Sequence, residues 1–291
     1  MTHSVAEMKT VKQLLVLCSD YLDKRGVAQA RRCSEELISD VLGVQRLELY
    51  MDFDRPVQSD ELQRCRQGLR RLGEHEPWQY VKGSVEFYDC TIKIGPDVLI
   101  PRHETEILID SIIKDLEGKE SAKQSLAIWD VCCGSGCIGI ALKKRFPQAT
   151  VVLSDVSPAA VAMARDNAEI NDVQVEVREG DMLFPFGGET ADLIVCNPPY
   201  ITTAEYEKLD PEVRDYEPKL ALVSGDTGIE FYMRLANEIE GYLRSGGKLC
   251  LEIGTGQGEA VERLFKQQGL SGGVVKKDWS GHDRFFLLEI R

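Results

Sequence analysis

No stretch of the 291-residue chain approaches the ~18–20 consecutive apolar residues of a spanning helix, so no membrane partner is expected. The first residues, Met1-Thr2-His3-Ser4-Val5, have no basic region followed by an apolar run, which argues against a secretory leader. Nine cysteines include no Cys-x-x-Cys pair, and the four histidines (His3, His75, His103, His282) lack ligand spacing. Neither a structural metal nor a disulfide framework is expected, and the thiols read as reduced in a cytoplasmic protein. Basic charge is in deficit: 35 Lys+Arg against 48 Asp+Glu gives a net charge of −13. The deficit is uneven, with 13 basic and 13 acidic residues over 1–83 and the whole excess beyond. An acidic body of that size repels a phosphate backbone, so no direct nucleic-acid partner is expected, although a local basic patch stays open. A monomer is the simplest expectation.

What is present suits a soluble chain with a real core: 43% hydrophobic and 29% charged residues, without internal repeats. Val5, Met8, Val11, Leu14, Leu15, Cys18 and Leu22 recur at helical spacing before Gly26. Cys33, Leu37, Val41 and Leu42 repeat the pattern up to Gly43, and Leu62, Cys65, Leu69 and Leu72 give a third helix with Ser59 as its expected N-cap. Arg64, Arg66, Arg70 and Arg71 on that helix are either a solvated face or a docking patch for an acidic partner. Val85–Tyr88 and Thr91–Ile94, separated by Asp89-Cys90, predict a hairpin, and a helix runs from 103 to 116 before a polar loop over 117–125. Strand candidates then cover 126–131, 150–154, 173–177, 191–196, 247–253, 273–277 and 284–290. Helical patterns at 137–146, 158–170, 227–243 and 257–268 separate most of them. Such alternation predicts a doubly wound sheet. The last two strands lie too close for a helical crossover, so the final one should run antiparallel.

Asp130-Val131-Cys132-Cys133-Gly134-Ser135-Gly136 closes the first of these strands and opens a helix, where ligands of such sheets sit. Gly134-x-Gly136-x-x-Gly139 alone is a weak dinucleotide pattern. Two acids refine it. Asp155 ends the second strand 19 residues past the loop, where a carboxylate takes a ribose diol. Asp130, beside the loop, would repel a pyrophosphate and favour a cationic ligand. S-adenosylmethionine has the ribose and the cations and no phosphate. Asp181, after the third strand, is placed to accept from an adenine amino group.

Asn197-Pro198-Pro199-Tyr200 comes directly after the fourth strand. The prolines fix an extended turn, so the Asn197 side-chain oxygen and the Pro198 carbonyl can converge as acceptors beside the aromatic face of Tyr200. A conjugated NH₂ group is a poor nucleophile because its lone pair is delocalised. Two acceptors would grip its two N–H bonds, aim the lone pair at a methyl donor and stabilise the positive charge that grows on nitrogen. No strong general base is needed before transfer.

This pair of motifs resembles the class I methyltransferases that act on conjugated amino nitrogens. Pro101-Arg102-x-x-Thr105-Glu106, Glu217-Pro218-x-x-Ala221-Leu222, the tail Asp278-x-x-Gly281-x-Asp283-Arg284 and Pro77-x-x-Tyr80 narrow the likeness. Together they resemble the release factor glutamine methyltransferases over nearly the whole chain. The resemblance implies an α/β fold with a Rossmann-like seven-stranded sheet, last strand antiparallel, in three parts. These are a helical bundle (1–75) that docks the release factor, a linker with a β-hairpin (76–100) and an S-adenosylmethionine-dependent domain (101–291). It further implies methylation of the glutamine amide in the Gly-Gly-Gln motif of class 1 peptide chain release factors. Asn197, Pro198 and Tyr200 would be catalytic. Cys132, Cys133, Gly134, Ser135, Gly136, Asp155, Asp181, Met182 and Asn197 would hold the cofactor. Pro199, Arg102, Thr105 and Glu106 would join Asn197, Pro198 and Tyr200 around the substrate, though Arg102 would serve equally in a domain-linking ion pair. Cys132 and Cys133 depart from the glycine and threonine usual in that family. A positive φ at 132 would strain a cysteine. Met182 stands where larger aromatic residues are common. Three rival readings stay open on the residues alone: a DNA adenine methyltransferase, a nicotinamide-dependent oxidoreductase resting on the glycine pattern, and a non-enzymatic binding module with a vestigial cofactor site.

Overall fold

The structure is a computed structural model that describes residues 9–117 and 126–290; the start of the first predicted helix, with Val5 and Met8, and all but the first residue of the polar loop predicted over 117–125 lie outside the described residues. The chain falls into two compact units, one reaching to Gly83 and taking in Pro211–Tyr216, the other comprising Ser84–Asp210 and Glu217–Arg291.

The first unit is helical. Helix α1 (Val11–Lys24) starts at Thr10, whose side chain accepts from the Gln13 amide while Gln13 returns a bond to the Thr10 N–H. Helix α2 (Ala30–Leu42) ends at Gly43 with φ +65°. Helix α3 (Ser59–Gly73) is capped by Gln58, not by the expected Ser59, which is already helical. Glu61 one turn on takes the Gln58 N–H at 2.8 Å, a role Ser59 cannot share once the helix begins at its own position. Leu14, Leu15, Cys18, Leu22, Leu37, Ile38 and Leu72 fill the core. Each such aliphatic residue contributes about 1.5–3 kcal/mol by leaving water. Gly68 lets α2 approach, since a Cβ there would lie 2.4 Å from Leu37. The arginines of α3 are largely engaged: Arg64 with Asp60 at 3.5 Å and Arg70 with Glu74 at 3.2 Å. Arg71 pairs with Glu76 at 2.6 Å and donates to the Tyr80 and Val81 carbonyls of helix α4 (Trp78–Lys82). The Tyr216 hydroxyl donates to the Glu74 carbonyl within the same unit.

The second unit opens with the hairpin β1 (Ser84–Phe87) and β2 (Cys90–Lys93). Its turn is Tyr88-Asp89, one residue earlier than predicted, because both adopt positive φ (45° and 61°) and close a two-residue loop without glycine. Next come α5 (His103–Glu117), β3 (Ala127–Val131), α6 (Cys137–Arg145), β4 (Thr150–Asp155), α7 (Pro158–Ile170), β5 (Glu176–Glu179) and β6 (Ala191–Cys196). The hairpin rests on α7: Asn167 and Asn171 side chains bond to both the N–H and the carbonyl of Lys93 and Thr91. After β6 come β7 (Ile201–Thr202), three short helices, α8 (Thr203–Tyr206), α9 (Pro211–Arg214) and α10 (Lys219–Leu222), and β8 (Val223–Gly225), which pairs with β7 in parallel. None of these small elements is predicted by periodicity. Helix α11 (Glu230–Glu238), β9 (Leu243–Glu252), α12 (Gly258–Gln267), β10 (Val274–Lys277) and β11 (Asp283–Glu289) complete the chain.

The main sheet has seven strands in the order β10-β11-β9-β6-β3-β4-β5. Strand β11 is antiparallel to both of its neighbours, as the short final connection predicts. Predicted boundaries move at three elements, β5, α11 and β9, the last beginning at Leu243 rather than 247. The third parallel strand is Glu176–Glu179 rather than 173–177, because Asp172 turns at φ +52° and only the later residues reach the β4 edge. The predicted helix 227–243 shrinks to α11, since Leu243 already pairs with Ala191 in the sheet. Trp129, Phe186, Tyr232, Phe265 and Phe286 anchor the core on one face of the sheet. Among the described residues no helix is long and apolar enough to cross a membrane, and all nine cysteines are free thiols.

Candidate active site

A cleft of about 400 Å³ opens at the carboxyl ends of β3, β4 and β6, lined wholly by the second unit. Its lining includes Cys132, Cys133, Gly134 and Ser135, Asp155, Asp181 and Met182, and Asn197, Pro199 and Thr105. Arg102, Glu106, Gly136, Pro198 and Tyr200 stand outside this lining.

The loop after β3 is a backbone structure. Cys132, Gly134 and Gly136 all have positive φ (58°, 52° and 78°). For Cys132 that is the anticipated strain, of about 1–2 kcal/mol for a residue with a Cβ. A Cβ at Gly134 would meet nothing within 4 Å, so its backbone faces open space that a ligand can enter. Gly136 serves another purpose: a Cβ there would come within 2.8 Å of Leu153 and 3.1 Å of Ala164, so this glycine lets α6 pack on β4 and does not touch the cleft. Asp155 ties the loop down. Its two oxygens accept the Gly134 N–H at 2.8 Å and the Ser157 N–H at 2.9 Å, each retaining a lone pair. Burial pushes its carboxyl up against those backbone bonds.

Asp130 lies fully buried behind the loop and outside the cleft lining. One oxygen accepts the Gly139 N–H at 2.8 Å and the other has no partner. Burial raises its carboxyl to about 7. Asp181, expected to face an adenine, already pairs with Arg234 at 2.8 Å. The charged residues lining the cleft are Asp97, Asp155, Asp181 and Glu230 against Arg234 alone. A wall of that sign suits a sulfonium and opposes a pyrophosphate, which counts against the oxidoreductase reading.

The loop after β6 is held by side chains. The Asn197 amide donates from Nδ2 to the Thr105 hydroxyl at 3.5 Å, and that hydroxyl donates to Glu252 Oε2 at 2.7 Å. Asn197 Oδ1 is left for a ligand. Gln257 donates to the carbonyls of Tyr200 (2.9 Å) and Gly228 (3.2 Å), clamping the loop, while its own oxygen takes the Gly254 N–H. The Tyr200 ring packs against the core, and burial pushes its hydroxyl up to about 12, so it stays protonated. Arg102 forms its ion pair with the buried Glu217, whose other oxygen accepts the Ile100 N–H at 3.1 Å. Both partners belong to the second unit, so this is no domain-linking pair. Glu106 is spent on the hairpin turn, accepting the Tyr88 N–H at 2.9 Å and facing His103 at 2.7 Å.

Residues 13–83 match the PrmC N-terminal domain family, and residues 104–209 match the methyltransferase small domain family. The release factor glutamine methyltransferase of Geobacter sulfurreducens is 40% identical over 278 residues, 96% of each chain. Its counterpart from Chlamydia trachomatis is 42% identical over 280 residues, 96% of this chain and 94% of that one. The chain belongs to the release factor glutamine methyltransferase family. Among solved structures, the hMettl16 catalytic domain in complex with an RNA hairpin superposes with a TM-score of 0.56 at 14% identity, over 82% of this chain and 84% of that one. The 16S rRNA N2 G1207 methyltransferase of Thermus thermophilus gives 0.51 at 17%, over 72% and 50%. At such identities the likeness is one of fold.

Sequence reasoning missed three residues that hold the cleft and its loops in this chain: Glu252, Gln257 and Arg234. An acid closing the apolar strand Leu249-Cys250-Leu251-Glu252 was the available signal for the first, since a carboxylate at the carboxyl end of a central strand is poorly placed for water. The other two carried no local signal.

Proposed function

We propose that the protein transfers a methyl group from S-adenosylmethionine to the side-chain amide nitrogen of the glutamine in the Gly-Gly-Gln motif of class 1 peptide chain release factors, in the cytoplasm. The observation that carries the reading is the Asn197 side chain at the cleft, its NH₂ committed to Thr105 and its oxygen left as an acceptor. The relatives' common name supports the substrate, and the acidic lining supports a cationic cofactor.

The residues present fit that cofactor: Gly134 leaves the backbone open, and the cleft is lined by Asp97, Asp155, Asp181 and Glu230 against Arg234 alone. Asp155 would take the ribose diol on its spare lone pairs, with Cys132, Cys133 and Ser135 shaping the turn around it. Met182, buried at φ +48°, would pack on the adenine, and Asp181 would meet its amino group alongside Arg234. When bound, the cofactor supplies an electrophilic methyl on sulfur. Asn197 Oδ1 and the Pro198 carbonyl would accept the two amide N–H bonds of the glutamine. They fix the nitrogen in line with the methyl and stabilise the charge that develops on it. Pro199 and Tyr200 would form the slot, Tyr200 remaining a neutral phenol. Arg102 would act indirectly, by fixing Glu217 and the turn at Pro218 that lines the cleft, and Glu106 by seating the start of α5. The helical unit would bind the release factor away from the reacting glutamine.

Incubation of a release factor with the protein and S-adenosylmethionine should add about 14 Da, one hydrogen replaced by methyl, to the Gly-Gly-Gln peptide. Duplex DNA under the same conditions should stay unmodified. Cofactor binding without any transfer to the release factor would overturn the reading.

A further inference from the structure

We infer that Glu252, acting through Thr105, dictates which end of the Asn197 amide faces the reacting nitrogen. The inference rests on the proposed function and supplies a positioning residue for it. Glu252 is 1% exposed and Thr105 2% exposed, so neither group has water to turn to. A hydroxyl has one proton. Thr105 gives its proton to Glu252 at 2.7 Å, so only lone pairs remain for Asn197. The end of the amide that faces Thr105 must then be the donor, Nδ2, as observed at 3.5 Å. An acceptor at the far end of the chain thereby forces an acceptor, Oδ1, at the near end. Without the relay the amide can turn over and offer N–H to N–H, which repels the substrate.

The register puts the parts in place. Cys196 and Leu251 are partners on neighbouring parallel strands, so Asn197 and Glu252 each stand one residue beyond the same rung. Thr105 reaches them from the first turn of α5. A carboxylate buried at the end of a central strand contributes nothing to packing that an apolar residue would not supply better. Its presence beside the reacting loop is consistent with a site requirement.

The test uses Thr105→Val, which keeps the shape and removes the hydroxyl, Thr105→Ser, which restores it, and Glu252→Leu. With a release factor as substrate, Thr105→Val and Glu252→Leu should each lower kcat about tenfold or more, with S-adenosylhomocysteine affinity held within about threefold. Thr105→Ser should recover most of the rate. Unchanged kcat in Thr105→Val overturns the inference. So does parallel loss of kcat and nucleoside affinity that serine fails to rescue, since that marks a merely structural role. A second readout needs no turnover: the side-chain NH₂ resonances of Asn197, identified by their loss in Asn197→Ala, should shift in both Thr105→Val and Glu252→Leu. If the wild-type protein methylates no release factor, the proposed function falls. The relay then stands or falls on those resonances, and their invariance would dismiss it.

Discussion

The loops after β3 and β6 occupy adjacent strand ends and face the same cleft, yet they are built in opposite ways. The first, 132–136, is shaped largely by its own backbone: three positive φ angles, with ties from outside running to the Asp155 carboxylate, the Ser154 carbonyl and the Asn167 side chain. The second, 197–200, has no positive φ and takes its shape from its prolines and from side chains of two distant segments, Thr105 on α5 and Glu252 and Gln257 at the end of β9 and the start of α12. A loop that must let a ligand lie against it withholds side chains. A loop that must hold one polar group still surrounds that group with partners.

If the contrast is right, damage to the two loops should separate in what it abolishes. The largest effect is expected from Asn197→Ala, which should lower kcat on the order of 10²–10³-fold while cofactor affinity, followed by calorimetry, changes little. Asp155→Ala should do the reverse, weakening cofactor binding about 10–100-fold through the loss of charged hydrogen bonds to ribose and loop. Should either substitution reduce both quantities equally, the loops are not independent. Next comes the strained corner. Cys132→Val places a β-branched residue at φ +58° and should cost about 1–3 kcal/mol in urea unfolding, whereas Cys132→Gly should change stability by less than about 1 kcal/mol.

The smallest effect concerns pH. Glu252 is raised to about 7 by burial, opposed by its bond from Thr105; Arg284 and Arg102 face it as cations, Glu104 as an anion, and Tyr200 and Tyr232 as neutral phenols. Ionised Glu252 accepts from Thr105, whereas a protonated carboxyl can donate and reverse the chain. So kcat should rise with pH through about 7, and Glu252→Gln should flatten that step. Stability should move the opposite way. The folded state holds a proton on Asp130 and Glu252 that the unfolded state has released, so their contribution falls between roughly pH 4 and 7 and levels off above. The thermal midpoint of Asp130→Asn relative to wild type should therefore improve as pH is raised from about 5 to 8.

Much of this site was legible in the chain. The glycine loop, Asp155 at the end of β4 and the Asn-Pro-Pro-Tyr turn are local features, each readable from a few consecutive residues at the end of a strand. So was the reversed final strand, because five residues between β10 and β11 leave no room for a crossover helix. The failures have a common cause. Edge strand β5 is partly exposed along its length, so hydrophobicity did not fix its ends. Gly136 resembled a ligand contact until Leu153 and Ala164 were seen against it. The partner of Asp181 lies 53 residues on, and that of Thr105 lies 147 residues on.

By itself the sequence determined the succession of the strands and larger helices of the main sheet, the two loops that bear the chemistry and the sign of the charge around them, because periodicity, proline, glycine and net charge act within a few residues of where they are written. Only the tertiary structure decided which way the Asn197 amide points. That choice belongs to a hydroxyl on one helix and a carboxylate on a separate strand, and a hydrogen bond has a direction only once both of its ends are in place.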